Sequence, residues 1–203
     1  MILLTGGSGL LGAELRKLLN VFAPSHKDLD ITKPETLTGD YEIIIHAAAY
    51  TDVVKAETDK EDCFRVNVTG TLNLLKAYPD SNFVYISSEY SYNPVNYYSE
   101  TKLAGETAIK VFAKRYLIIR TLFKPNPFPY VKAFNDQYTQ GDYVDVIAPL
   151  IAKEIKNWNQ ENKTVYVGTG RKTMLELARR TRPDIKAISV EDIKNVKLSK
   201  DYI

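Results

Sequence analysis

Short apolar runs alternate with stretches whose apolar residues recur at helical spacing through the first 120 positions. MILLT (1–5) has strand character and leads straight into glycines. In GLLGAELRKLLN (9–20), Leu10, Leu11, Leu15, Leu18 and Leu19 favour one side of a helix. VFAP (21–24) reads as a short second strand, and YEIIIHAAA (41–49) as a third. The third is continuously apolar, which predicts burial on both faces. A long helix is expected from about Asp59 to Tyr78, with Pro79 helping to end it. NFVYISS (82–88) is a fourth strand, SETKLAGETAIKVFAKR (99–115) a helix and RYLIIR (115–120) a fifth strand. Repeated alternation of strand and helix predicts an α/β chain, a doubly wound parallel sheet with helices on both faces.

After Arg120 the rhythm changes. TLFKPNPFPY (121–130) holds three prolines and excludes a regular helix or central strand. DYVDVIAPLIAKEIKNW (142–158) predicts a helix that Pro149 bends, KTVYVG (163–168) a strand, TMLELARR (173–180) a short helix and IKAISV (185–190) a further strand. Residues 1–122 therefore read as a nucleotide-binding layer, and 123–203 as a smaller, less regular cap that is not strictly separable from it.

Composition narrows the classes. With 203 residues, 44% hydrophobic and 26% charged, the chain can bury a real core. A net charge of +2 with no basic face gives no footprint for nucleic acid. The longest apolar runs are too short to span a bilayer, and Met1 enters ILLTGG with no basic or apolar leader, so neither a membrane anchor nor an export signal is expected and the cytosol is the expected compartment. Cys63 is the single cysteine, which rules out an internal disulfide and a cysteine-rich metal site. His26 and His46 stand far apart, and no metal is expected. Cys63 and His46 read as buried fillers.

Chemistry enters at the first turn. LLTGGSGLLG satisfies G-x-G-x-x-G through Gly7, Gly9 and Gly12, and T-G-x-x-G-x-x-G through Gly6, Gly9 and Gly12, between a strand and an amphipathic helix. Glycines let the backbone approach a pyrophosphate whose charge is met by free amides at the helix start. Gly6, Ser8, Gly9, Leu10, Leu11 and Gly12 form this candidate cradle. At the end of the second strand, APSHKD has no carboxylate before Asp28. Ser25, His26 and Lys27 suit a 2′-phosphate, which favours NADP(H) over NAD(H). Further on, Tyr98 stands four residues before Lys102, a spacing that sets phenol and ammonium on one helix face.

With those motifs the sequence resembles the extended short-chain dehydrogenase/reductase family, and HAAAYTDVVKAE, RVNVTGTLNLLKA, YISSEYSY and NYYSETKLAGE are similar to successive landmarks of its dTDP-4-dehydrorhamnose reductase branch. LDIT (29–32) and NDQYTQGDYVDVIA (135–148) fit the same group. The resemblance implies a Rossmann-type fold with a small C-terminal substrate-binding cap. It implies Ser88 as the hydroxyl that holds the substrate oxygen, Tyr98 as proton donor, and Lys102 as the ammonium that bonds the nicotinamide ribose and lowers the tyrosine pKa. Asp30 and Ile31 match the adenine contact, Ala47, Ala48 and Ala49 line the cofactor, and Asn67 supports the active-site helix beside it. Tyr50, Glu89 and Tyr90 are the implied substrate contacts.

Nine residues separate Ser88 from Tyr98, where the family carries a longer loop, and TLFKPNPFPYVKAF replaces another longer stretch, so substrate-binding wall is trimmed. Three readings stay open: an NADPH-dependent reductase of a nucleotide-linked 4-keto-6-deoxysugar, a sugar-nucleotide epimerase or dehydratase, and a regulatory subunit that holds NADP without turnover. The small-molecule partner is a nucleotide sugar, and a homodimer is compatible with all three.

Overall fold

The computed structural model describes residues 1–202. In chain order its elements are β1 (Ile2–Thr5), α1 (Leu10–Leu18), β2 (Ile43–His46), α2 (Lys60–Phe64), α3 (Gly70–Ala77), β3 (Asn82–Ser88), α4 (Tyr97–Phe112) and β4 (Tyr116–Thr121). There follow β5 (Phe123–Lys124), β6 (Lys132–Phe134), β7 (Tyr138–Thr139), β8 (Asp142–Tyr143), α5 (Val144–Lys156), β9 (Lys163–Tyr166), β10 (Lys172–Thr173), α6 (Met174–Arg179) and β11 (Lys186–Ile188). The central sheet is all parallel in the order β1-β2-β3-β4-β9.

Strand side chains alternate between two apolar layers. Leu4, Ile45, Val84, Ile86, Leu117 and Ile119 meet Leu11 and Leu15 of α1 and Ile147 and Ile151 of α5. Their neighbours Leu3, Ile44, Phe83, Tyr85 and Ile118 meet Leu74 of α3 and Ile109 of α4 on the other face. The expected α/β fold, a doubly wound parallel sheet with helices on both sides, is the fold observed.

Three expectations are corrected. VFAP does not form a strand: only Phe22 bridges Leu3, and Pro24 has no N–H with which to extend a ladder. The helix over 59–78 is interrupted in register, since Arg65–Thr69 between α2 and α3 forms a π-turn. The boundary at 122 does not divide sheet from cap: β9 pairs with β4 as the fifth strand, and α5 packs on α1. What does form a separate layer is the cluster of Tyr90, Tyr98, Leu122, Phe128, Met174, Leu177 and Tyr202, seated over the carboxyl ends of the strands. Helix α5 runs on through Pro149.

Candidate active site

The site is assembled at the carboxyl ends of four neighbouring strands, where open parallel sheets place their ligands. Thr5 closes β1, His46 closes β2, Ser88 closes β3 and Thr121 closes β4; Thr5 is level with His46 and Ser88 with Thr121.

After β1 the chain turns through Gly6, whose φ of +71° is one that side-chain-bearing residues rarely adopt. A Cβ there would lie 2.6 Å from the Ala48 nitrogen, and one on Gly12 would lie 2.1 Å from the Gly6 oxygen. The glycines thus let β1, α1 and the segment after β2 meet backbone to backbone. Gly9 caps α1 without any side-chain cap, leaving amides at the helix start facing a crevice of about 630 Å³. Gly6, Ser8, Gly9, Leu10, Leu11 and Gly12 line it, with His26, Asp30, Ile31, Ala47, Ala48, Ala49 and Tyr50.

Ser25 and Lys27 are not in that lining; the Ser25 hydroxyl donates to Asp28 at 2.7 Å, and Lys27 is exposed. Of the expected 2′-phosphate group only His26 reaches the wall, its Nε2 3.5 Å from the Asp30 carboxylate. Asp30 also accepts from the Thr32 amide and hydroxyl, and these bonds hold its carboxyl below the ordinary value against the opposing effect of burial. Arg65, which the sequence reading missed, reaches the same corner by donating to Thr32 at 3.0 Å.

A second cavity of about 160 Å³ shares Ala47, Ala49, Thr51, Phe123 and Lys124 with the first and carries Ser88, Tyr98, Lys102 and Tyr90. Tyr98 is in the first turn of α4, whose start is fixed by a reciprocal cap between Asn96 and Ser99. Lys102, one turn on, donates to the Ile86 carbonyl at 2.9 Å and lies 4.3 Å from the centre of the Tyr85 ring. The three expected catalytic residues therefore share one wall.

Their electrostatics differ from expectation. Burial pushes the Tyr98 phenol up to about 12, and what draws it back is hydrogen bonding with Ser88, not the charge of Lys102. Burial also drives the Lys102 ammonium down to about 7, against the pull of Glu106. The lysine is turned to a carbonyl and an aromatic face, so sequence proximity did not become charge proximity.

Asn67 stands where it supports α4, as the resemblance implied, and the assignment of Glu89 changes. Asn67 lines neither cavity: from the π-turn its side chain accepts from the Tyr50 amide at 2.9 Å and donates to Thr101 of α4 at 3.0 Å, so it joins the crevice wall to α4. Glu89 points away from both cavities and accepts from Thr139 at 2.8 Å and from Tyr166, with burial raising its carboxyl to about 7. Tyr90 does face the small cavity, edge-on to Tyr98 and stacked 4.1 Å from Tyr202. Among the described residues no cluster of three or more His, Cys, Asp or Glu could hold a metal ion, and no helix is long and apolar enough to cross a membrane.

The family model for the RmlD substrate binding domain matches residues 1–148. The chain belongs to the RmlD substrate binding domain family. Within it, the chain is 32% identical over 145 residues to a dTDP-4-dehydrorhamnose reductase of Mycolicibacterium smegmatis, covering 59% of this chain and 44% of that protein. It is 31% identical over 149 residues to the Escherichia coli reductase of that name, covering 59% and 50%. The chain spans about half the length of these curated relatives. In three dimensions it resembles a Bacillus anthracis dTDP-4-dehydrorhamnose reductase solved in complex with NADP, with a TM-score of 0.86, 25% identity, and coverage of 99% of this chain and 88% of that one. The chain thus shares its overall fold with that reductase. Phe123 and Lys124 line both cavities and Tyr130 the larger one; they were missed because a proline-rich stretch reads only as a break.

Proposed function

We propose that this chain is an NADPH-dependent reductase of a nucleotide-linked 4-keto-6-deoxysugar, working in the cytosol. The observation that carries the reading is the meeting of Ser88, Tyr98 and Lys102 on the wall of a small cavity that opens into a glycine-lined crevice. The crevice fits a dinucleotide: backbone amides at the start of α1 face it, side chains are excluded where Gly6 and Gly12 make their contacts, and His26 stands at the adenosine end. When bound, the coenzyme supplies the hydride. Ser88 holds the substrate carbonyl oxygen, and the Tyr98 hydroxyl gives that oxygen its proton. A phenol pushed up to about 12 stays protonated at neutral pH, which suits delivery to a forming alkoxide. Lys102 presents its amine to the cavity from the Ile86 carbonyl.

A second reading, a subunit that holds NADP without turnover, draws on the modest 160 Å³ of the smaller cavity. The discriminating experiment follows NADPH oxidation with a panel of nucleotide-linked ketosugars, in the wild type and in Tyr98→Phe. Turnover is expected in the wild type and a loss of about a hundredfold or more in the variant, with the NADPH Kd nearly unchanged. Equal activity in the variant removes Tyr98 as donor; tight NADPH binding without any turnover moves the assignment to the subunit. Tighter binding of NADH than NADPH removes the role given to His26.

A further inference from the structure

Lys124 stands at the seam of the two cavities and lines both. It is half-buried, and its ammonium has no hydrogen-bond acceptor or ion-pair partner among the described residues; the Nζ atom lies 5.3 Å from the centre of the Tyr130 ring. Burial lowers its pKa, and Glu89 pulls it partly back without touching it, that carboxylate being turned to Thr139 and Tyr166. Thr121, only 2% exposed, lines the smaller cavity as well, and its hydroxyl is likewise without a partner. The buried Thr121 hydroxyl is costly to leave unmatched, and the Lys124 ammonium, open to the cavities, offers three donors that none of the described residues takes up. Across the larger crevice the amides at the start of α1 make a second set of donors. Donors thus line the cavities on both sides of the seam, and the group that would match them is a multi-oxygen anion.

We propose that Lys124 binds a diphosphate oxygen of a ligand held at this seam. The inference rests on the nucleotide-dependent reading above and adds to it a residue and the ligand group that the residue meets. Two ligands carry that group, the coenzyme and the nucleotide-linked sugar, and separate measurements distinguish them. Lys124→Met and Lys124→Arg are titrated beside the wild type with NADPH alone, and with dTDP added to NADPH-saturated protein. Lys124→Met is expected to weaken one of the two by about tenfold, as loss of a charge-assisted contact does, and Lys124→Arg to keep most of the affinity. The gap narrows as salt is raised. A loss with NADPH assigns the contact to the coenzyme, and a loss with dTDP assigns it to the substrate. Because Lys124 holds no hydrogen bond or ion pair within the described residues, Lys124→Met should melt close to the wild type, which separates weak binding from poor folding. If wild type and Lys124→Met bind both probes within twofold of each other, the subsite is refuted while the reductase reading stands. If the wild type binds no NADPH, the reading beneath it fails as well.

Discussion

His46 shows how a single side chain behind the crevice bears on stability. It is 1% exposed, with Nδ1 2.9 Å from the Thr5 hydroxyl and Nε2 3.0 Å from that of Thr71. Burial, helped by the charge of Lys102, pushes its pKa from 6.5 to about 3. The folded imidazole is therefore neutral where the unfolded one would be charged, so its contribution is whole above pH 6.5 and is lost as pH falls toward 3. Glu89, raised from 4.5 to about 7, runs the other way, its contribution being lost as pH rises through that window. Comparison of wild type with His46→Gln by urea denaturation isolates the histidine: any advantage of the wild type should shrink by about 1 kcal/mol per pH unit below 6.5. A pH-independent difference would contradict it. At this scale the spacing of Tyr98 and Lys102 made their common helix face legible, while Ser88, at the end of β3, was pointed to by the family resemblance alone. The sequence left Lys124 and Thr121 unread, since a cavity wall depends on which neighbours the fold supplies. The lysine's direction was equally hidden: Y-x-x-x-K says which face two side chains share, but not that Ile86 offers a carbonyl to one of them.

Among the elements, α4 is the most tightly constrained. It packs on β3 and on the π-turn at Gly105, where a Cβ would lie 2.3 Å from the Tyr85 hydroxyl and 3.1 Å from the Asn67 carbonyl. Exchanging glycine for alanine in a helix interior ordinarily gains about 0.5–1 kcal/mol. Here the overlap with a buried ring and a backbone oxygen should outweigh that gain, and Gly105→Ala should lose about 1–3 kcal/mol in thermal or denaturant unfolding. A stabilised variant would show that α4 can shift without cost. Strands β2, β3 and β4 were legible because their apolar runs are unbroken. The π-turn was not, because one extra residue in a turn leaves apolar spacing almost unaltered while moving Asn67 into reach of both Tyr50 and Thr101. The place of β9 was hidden for a different reason: KTVYVG announces a strand, but pairing with β4 depends on α5 crossing back over the sheet.

For the whole molecule, that crossing decides what can fold alone. Trp158, Ile155, Ile151 and Ile147 complete the apolar layer begun by Leu4, Leu11 and Leu15. A fragment of residues 1–122 would leave this layer open and the β4 edge unpaired, inviting edge-to-edge association. Such a fragment is expected to lack a cooperative unfolding transition, whereas one carried through β9 should regain much of it; circular dichroism during denaturant titration distinguishes the two. Independent folding of 1–122 would restore the boundary that the sequence suggested. The aromatic stack of Tyr202 on Tyr90, with Asn96 donating to the Lys197 carbonyl at 3.0 Å, has a bearing on how such proteins diverge. The C-terminal segment props the loop that leads into Tyr98. On the proposed reductase reading, chimeras that exchange this segment between homologues should therefore alter the choice of sugar even when every residue touching it is retained.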